Sequence, residues 1–472
     1  MTTTTMTHMD MEKTSWQQRY RASEIFTLRC SVLDRPGMLG RLIGAIGQAG
    51  AHVGTVGVSG LDGTHKIRDV TVYCSGREHL DRLLDTVNQI DGIEVLDVCD
   101  DILEMHRRGV IETVSRVPIR DLSGLQMLYT PGVASVCRKI QTDPAVAWEM
   151  TGLCDRVAIV TNGTAVLGLG NLGPLASLPV MEGKAAIFSE FAGISAFPIL
   201  VDSENVNTIV ETVARIAYTF GAIQLEDIAA PACFAVEEQL RDRLDIPVLH
   251  DDQHGTATVL LAALIKALQK MQRKPRDCSA LILGAGAAGY AIARILCDFG
   301  IGDVVVYDSA GPLYRGRTKS MNSYKHQLAE LTNKDSQMCD LSEGFEGKHI
   351  FIGVARPNIV SKEMIASMAD EPMVFPLSNP VGEISVEDAT EAGAAVAADG
   401  RAINNALAYP GLFRGALDAR AKEITFEMQL AAAQKLAELA PLDALLPDML
   451  DRNVHQAVAR AVASAYQEQS GA

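Results

Sequence analysis

Ala280-Leu281-Ile282-Leu283 is a short apolar run that leads directly into Gly284-Ala285-Gly286-Ala287-Ala288-Gly289. Residues 290–300 then read as a helix, and Val304-Val305-Val306-Tyr307-Asp308 as a second strand. A strand, a glycine turn, a helix and another strand in that order build a βαβ unit of a parallel sheet. The first glycine makes the tight turn, the second lets a pyrophosphate approach the backbone, and the third lets helix and strand pack closely. Phosphates then rest on the helix N-terminus, where free N–H groups and the macrodipole favour negative charge. Asp308 lies about 20 residues beyond the glycines and suits a ribose hydroxyl. A carboxylate there repels a 2′-phosphate, so NAD is expected over NADP, with NADP left open where neighbouring cations offset the repulsion.

The chain around this unit has 472 residues, 48% of them apolar, which is enough for two to four domains. No run of about 18 uncharged apolar residues occurs, so no membrane span is expected. The start, MTTTTMTHMDMEK, has no apolar signal core and reads as a disordered tail over residues 1–23. Nine cysteines without a CxxC pair point to reduced thiols in the cytoplasm, not to a disulfide frame or a zinc site. A net charge of −16 with no basic cluster argues against nucleic-acid binding.

Lys184 follows a run rich in Gly, Pro and small residues, flanked by strand-like stretches, so the segment is expected to form a cleft wall and not an ordinary surface helix. In a cleft, burial or a nearby cation would lower an ammonium toward neutrality and suit proton transfer; a solvated lysine at a helix start is the plain alternative. Two further strands are expected to end in acids. AIQLEDI delivers Glu226 and Asp227, and IPVLHDDQHGT delivers Asp251 and Asp252. Strand ends are where α/β sheets place ligands. Carboxylates converging there need a divalent cation, Mg²⁺ or Mn²⁺ by oxygen-ligand preference; solvated acids or helix caps are the alternative. His250 and His254 could be further ligands, though hydrogen-bonded structural histidines are the plainer reading, and Tyr129, in LYTPGVA, reads as a half-buried core tyrosine by pattern alone.

Residues 24–100 form a unit of their own. Strand-like residues 25–33, a helix after Asp34-Arg35-Pro36-Gly37-Met38-Leu39, strands at 52–60 and 66–74, a helix at 77–90 and a strand at 93–99 give the order βαββαβ, a ferredoxin-like pattern. With its Asp34–Leu39 loop this unit resembles an ACT domain, a family that senses amino acids and other small metabolites and that pairs through its sheets. The resemblance implies a regulatory role with an amino-acid or other small effector.

Seven blocks, YTPGVA, LGLGNLGPLASLPVMEGKA, LEDIAAP, HDDQHGTA, GAGAAG, LSNP and NNALAYPG, follow one another over residues 112–440. In that order they are similar to the bacterial-type branch of the malic enzyme family. The resemblance implies oxidative decarboxylation of L-malate to pyruvate and CO₂ with reduction of NAD, and decarboxylation of oxaloacetate. By position it implies Tyr129 as proton donor and Lys184 as general base, with Asp251 supporting the lysine. Glu226, Asp227 and Asp252 become metal ligands. Asn379 and Asn405, with their neighbour Asn404, become amide contacts to malate and the nicotinamide region. It further implies a homo-oligomer, dimer or larger.

Four departures from relatives stand out. Thr164-Ala165 replaces an arginine found in the animal and plant branch, and the AADGRAI stretch is short. Ala310 stands where some NADP-using relatives carry lysine, which favours NAD. No phosphotransacetylase-like extension is expected beyond Ala472. Two rival readings fit less of the chain. A metal-free 2-hydroxyacid dehydrogenase gives no reason for Glu226, Asp227 and Asp252; a non-catalytic sensor gives none for Tyr129 and Lys184.

The expected fold is therefore α/β: a tail at 1–23, an ACT unit at 24–100 and a connector at 101–117. An α/β catalytic domain at 118–252, a Rossmann domain at 253–420 and C-terminal helices at 421–472 complete it.

Overall fold

The computed structural model describes residues 24–166 and 168–471, so the expected tail at 1–23 lies outside the described residues. The chain divides into two compact units, up to Glu112 and from Thr113 onward.

In the first unit the strands Glu24–Leu33, His52–Val56, His65–Cys74 and Ile93–Asp100 and the helices Met38–Gln48 and Arg77–Asn88 follow the βαββαβ order. Strand Glu24–Leu33 lies centrally, antiparallel to both His65–Cys74 and Ile93–Asp100. The sheet is ferredoxin-like because alternate residues of its central strands (Phe26, Leu28, Cys30 and Val32; Val70, Val72 and Cys74) turn inward against Leu42, Ile46, Leu80 and Leu83 of the helices. One detail differs from the sequence reading. The expected strand over 52–60 is broken after Val56, and Gly60–Asp62 pairs separately with His65–Cys74 as a hairpin. The register also slips between Val53 and Val56, and the N–H groups of Gly57 and Ser59 still donate to Asp69 and Ile67 across the break.

The second unit holds two sheets. In the first, Ser195–Leu200, Arg156–Thr161, Ala222–Leu225 and Val248–His250 lie side by side, all parallel. The second has six strands with Ser279–Leu283 and Ile350–Gly353 at its centre, parallel except for the edge strand Gly311–Pro312. Its strands are apolar on both faces, as sheets covered by helices on both sides require. Helix Asp251–Lys270 follows the first sheet and packs against Ala287–Phe299 of the second, so it runs across the expected boundary at 252 and 253. Fourteen of its residues are buried, which fits a helix enclosed on nearly all sides. The C-terminal helices Phe426–Leu439 and Arg452–Ser470 pack on each other; the former also covers Asp251–Lys270 and the latter Pro174–Ala192.

Among the described residues no helix is long and apolar enough to cross a membrane.

The glycine motif is where packing tolerance is lowest. A Cβ on Gly289 would stand 1.9 Å from the carbonyl oxygen of Gly284, so helix and turn touch through backbone alone. Gly289→Ala must push them apart, an overpacking cost of about 1–3 kcal/mol. The melting temperature should fall by roughly 2–10 °C, checked by differential scanning calorimetry, with NAD affinity falling alongside it.

Candidate active site

Lys184 lies inside the 19-residue helix Pro174–Ala192, so the segment expected as a cleft wall is helical, though not an ordinary surface helix, since the lysine side chain is buried. Pro174 sits in the first turn, where no backbone donor is required, and Pro179 is accommodated within the helix. The side chain is only 12% exposed, and Nζ donates to Asp251 Oδ2 at 2.5 Å and pairs with Glu226 Oε1 at 2.9 Å. It also stands 4.8 Å from the ring centre of Tyr409, a cation–π distance. Tyr409 and Phe413 meet Phe188 edge-on, one helical turn beyond Lys184, which holds the apolar floor beneath the ammonium.

Glu226 and Asp227 follow strand Ala222–Leu225 as expected, but Asp251 and Asp252 open helix Asp251–Lys270 instead of ending a strand. The strand is only Val248–His250, because acids are stabilised by the free N–H groups and positive dipole of a helix start. Asp227 turns back through a left-handed backbone, φ 52°, and its N–H donates to Asp252 Oδ2 at 2.9 Å. Glu226, Asp227 and Asp252 each present an oxygen within 4.8 Å of the others.

The same helix start makes room for Asp251. A Cβ on Gly255 would meet Asp251 Oδ1 at 1.9 Å, so only glycine lets that carboxylate lie flat on the helix. Asp251 is fully buried; its Oδ2 accepts from Lys184 and from Asn405 Nδ2 at 2.8 Å, while Oδ1 has no hydrogen-bond partner. Asn405 is thus brought to the cluster as a brace on Asp251. Asn404 caps its own turn through the N–H of Ala406. Asn379 is exposed, next to the cis Asn379–Pro380 bond; a Cβ on Gly168, in the loop before the Lys184 helix, would lie 3.2 Å from its carbonyl oxygen. Tyr129, expected half-buried, is 68% exposed at the end of helix Leu122–Leu128, and no hydrogen bond joins it to the cluster among the described residues.

The electrostatics differ from the expectation of a lysine drawn toward neutrality. Burial alone would lower the Lys184 ammonium, but Asp251 and Glu226 outweigh it and hold it well above the usual lysine range. Burial pushes the Glu226 carboxyl well above its usual range; Lys184 opposes this, and Asp252, Asp251 and Asp227 add to it. Four carboxyl groups around one lysine are more negative charge than the pocket balances alone. The hard oxygen set and the proximity of the three carboxylates Glu226, Asp227 and Asp252 fit a divalent cation. With such a cation present the carboxylates would hold Lys184 less tightly.

Several supporting residues were not legible in the sequence. Glu237, buried on a neighbouring helix, accepts from the N–H of His250, from Gln253 and from His254, and so fixes the turn that presents Asp251 and Asp252. The His254 contact agrees with a structural histidine. His250 is fully buried, burial lowers its pKa, and Nε2 stands 3.8 Å from Asp252. Gln224 donates to Glu226 at 2.7 Å, visible in hindsight as one polar residue in an apolar strand. Glu383 accepts from the N–H of Ala355 and from the Ser378 hydroxyl and holds the loop carrying Asn379.

At the dinucleotide motif a cavity of about 760 Å³ is lined by Gly284, Ala285, Gly286, Asp308 and Lys325. Asp308 ends its strand as expected, but both its oxygens are engaged: Arg317 Nη2 lies 2.7 and 2.9 Å away, and Lys325 Nζ 2.7 Å from Oδ2. Burial would raise this carboxyl, yet the hydrogen bonds from Lys325 and Arg317 win and hold it below the usual carboxylate range. The cation missing at Ala310 is therefore supplied from farther along the chain.

Comparison with known proteins agrees with this arrangement. Residues 108–241 match the malic enzyme N-terminal domain and residues 253–467 the malic enzyme NAD-binding domain. An NAD-dependent malic enzyme of Geobacillus stearothermophilus is 43% identical over 89% of this chain and 90% of its own length. An NAD-dependent malic enzyme 1 of Bacillus subtilis is 40% identical over 93% of this chain and 97% of its own. The crystal structure of an NAD-dependent malic enzyme from Thermotoga maritima superposes with a TM-score of 0.74 at 42% identity, covering 76% of this chain and 98% of the other. The buried lysine, its carboxylates and the dinucleotide cavity accordingly sit in a chain that belongs to the malic enzyme family.

Proposed function

We propose that this chain oxidises L-malate at carbon 2 with NAD and releases CO₂ to give pyruvate, using a divalent cation. The observation that carries the reading is Lys184, buried and joined to Asp251 and Glu226 beside a three-carboxylate cluster, in a chain of the malic enzyme family.

Glu226, Asp227 and Asp252 would hold Mg²⁺ or Mn²⁺, which when bound supplies Lewis acidity toward the substrate oxygens. Lys184, left neutral once a bound dication has drawn the carboxylates away from it, would take the proton of the carbon-2 hydroxyl as hydride leaves for the nicotinamide, with Asp251, braced by Asn405, orienting it. Loss of CO₂ leaves carbon 3 in need of a proton, and Tyr129 delivers one. The proton removed from oxygen is balanced by the proton added to carbon, so the net change is malate and NAD to pyruvate, CO₂ and NADH. The same machinery serves oxaloacetate, which needs only the second half of the sequence. Asn379 and Asn405 are positioned along the chain for malate and the nicotinamide side, and the glycines from Gly284 to Gly289 for the pyrophosphate.

We assign residues 24–100 to an ACT-type regulatory unit, supported by the ferredoxin-like strand order and by Gly37 at φ 90° in the strand–helix loop. The effector class is amino acids or other small metabolites; titrating both into malate assays of the whole chain, with no change in rate or KM for any, would remove the assignment. A cytoplasmic setting is supported by nine free cysteines.

Lys184→Ala should lower kcat by about 10²–10⁴ while NAD still binds, read by initial rates and fluorescence titration; turnover within tenfold of wild type would reject the base. EDTA should abolish NADH formation from malate, and Mn²⁺ or Mg²⁺ should restore it; full activity in EDTA would favour a metal-free dehydrogenase. For the cofactor, Lys325 offsets the repulsion of a 2′-phosphate by Asp308. NADP should support slow turnover, and Lys325→Ala should lower kcat/KM for NADP by roughly tenfold, one charge contact of about 1.4 kcal/mol, with NAD nearly unaffected.

A further inference from the structure

We infer that Thr164 is a positioning residue whose hydroxyl clasps the loop carrying Asp227 to the turn that leads into the Lys184 helix. The inference rests on the reading of Glu226, Asp227 and Asp252 as ligands of a divalent cation, and it adds what holds one of them in place.

Asp227 has a backbone that few residues other than glycine adopt, with φ 52° in the left-handed region. Such a conformation persists only where the surroundings over-determine it. On its N-terminal side the N–H of Glu226 donates to the carbonyl of Val160 at 2.9 Å, and the N–H of Asp227 itself to Asp252 Oδ2 at 2.9 Å. On its C-terminal side the loop is held by Thr164-Ala165. The N–H of Ala165 donates to the carbonyl of Asp227 at 3.0 Å, and Thr164 Oγ1 accepts from the N–H of Ala229 at 2.9 Å. The same hydroxyl donates to Asn162 Oδ1 at 2.7 Å, so its proton and its oxygen are both engaged. A threonine that only closed its own turn would need the Asn162 contact alone. Oγ1 reaches instead to a residue 65 positions farther along the chain, just past the ligand. The pair Thr164-Ala165 has no charge with which to grip a dicarboxylate, and its contacts run to the ligand loop.

The clasp is anchored at its other end. Asn162 is 4% exposed, and its amide nitrogen donates to the carbonyl of Ser203 at 3.1 Å. The Gly163 carbonyl accepts from the N–H groups of Leu172 and Gly173 at 3.0 and 3.1 Å, and Gly173 is the N-cap of helix Pro174–Ala192. A Cβ on Gly163 would stand 2.1 Å from the Gly173 carbonyl oxygen, so the two backbones touch. Residues 162–165 are thereby bound on one side to the start of the Lys184 helix and on the other to the loop of Asp227. The turn sets the spacing between the base and the metal ligands, and the Thr164 side chain is what crosses from one to the other. Groups that orient a metal ligand are worth about 10–100-fold in metal affinity.

The test is the Mn²⁺ affinity of the whole chain, followed by electron paramagnetic resonance of the free ion, in variants that keep all three ligands. Thr164→Val keeps the shape of the side chain and removes the hydroxyl, leaving the Ala229 N–H without its acceptor. Its Kd for Mn²⁺ should rise by about 10–100-fold. Thr164→Ser keeps the hydroxyl and should restore most of the affinity. Ile159→Val trims the fully buried strand that precedes the turn, and it should lower the melting temperature while leaving the Kd unchanged. A wild-type Kd in Thr164→Val would overturn the inference, as would a Thr164→Ser variant as weak as Thr164→Val, or an equal loss in Ile159→Val. Thr164→Ala takes the place of Thr164→Val if the latter does not fold. A wild type that binds no Mn²⁺ removes the metal reading itself, whereas a wild type that binds it beside an unimpaired Thr164→Val removes only the clasp.

Discussion

Two carboxylates, Asp251 and Glu226, pair with one buried ammonium while two more, Asp227 and Asp252, crowd in beside Glu226, and much of the second unit is arranged to make that tolerable. Burying charge costs several kcal/mol per ion unless it is paired and hydrogen-bonded. Here the pairing is supplied by parts far apart in sequence: Lys184 from one helix, Glu226 and Asp227 from the end of a strand, Asp251 and Asp252 from the first turn of another helix. Asn405 and Gln224 donate to two of the carboxylates, and the ring of Tyr409 closes the apolar side of the lysine. The remaining negative charge is what selects a dication. A stable site without one would need fewer acids or more donors.

The scaffold serves this cluster through close approaches that leave no space for larger residues. Gly255 lets Asp251 rest against the helix it opens, and Gly289 lets the cofactor helix touch its turn. Glu237 joins the HDDQH turn to the neighbouring helix, so the acids cannot drift with their loop. The C-terminal helices, remote in sequence, brace both the lysine helix and the helix of Asp251. The carboxylate cluster and the glycine motif are therefore joined by one long helix, Asp251–Lys270, which begins at the carboxylates and packs against the helix that follows the glycines.

How much of this could be read beforehand depended on whether the cause was local. The glycine motif was legible because each glycine answers a requirement of its own turn. The carboxylates were legible as a group, yet their setting was half wrong. Asp251 and Asp252 follow an apolar run and look like the end of a strand, whereas a helix start stabilises them equally well. The helix around Lys184 was hidden by Pro174, Pro179 and Gly183, residues that lower helix propensity and that tertiary packing overrode. Asp308 was placed correctly, but nothing nearby announced that Arg317 and Lys325 would take its oxygens. Tyr129 shows the limit from the other side: its block was recognisable, and its exposure was not.

The central claim is that Glu226, Asp227 and Asp252 hold one divalent cation beside Lys184. Titration of the metal-free whole chain with Mn²⁺, followed by electron paramagnetic resonance of the free ion, tests it without relying on turnover. One Mn²⁺ bound per chain in the wild type, and loss of that site in Asp252→Asn at an unchanged melting temperature, is the predicted result. Binding by Asp252→Asn with wild-type stoichiometry and affinity would contradict it.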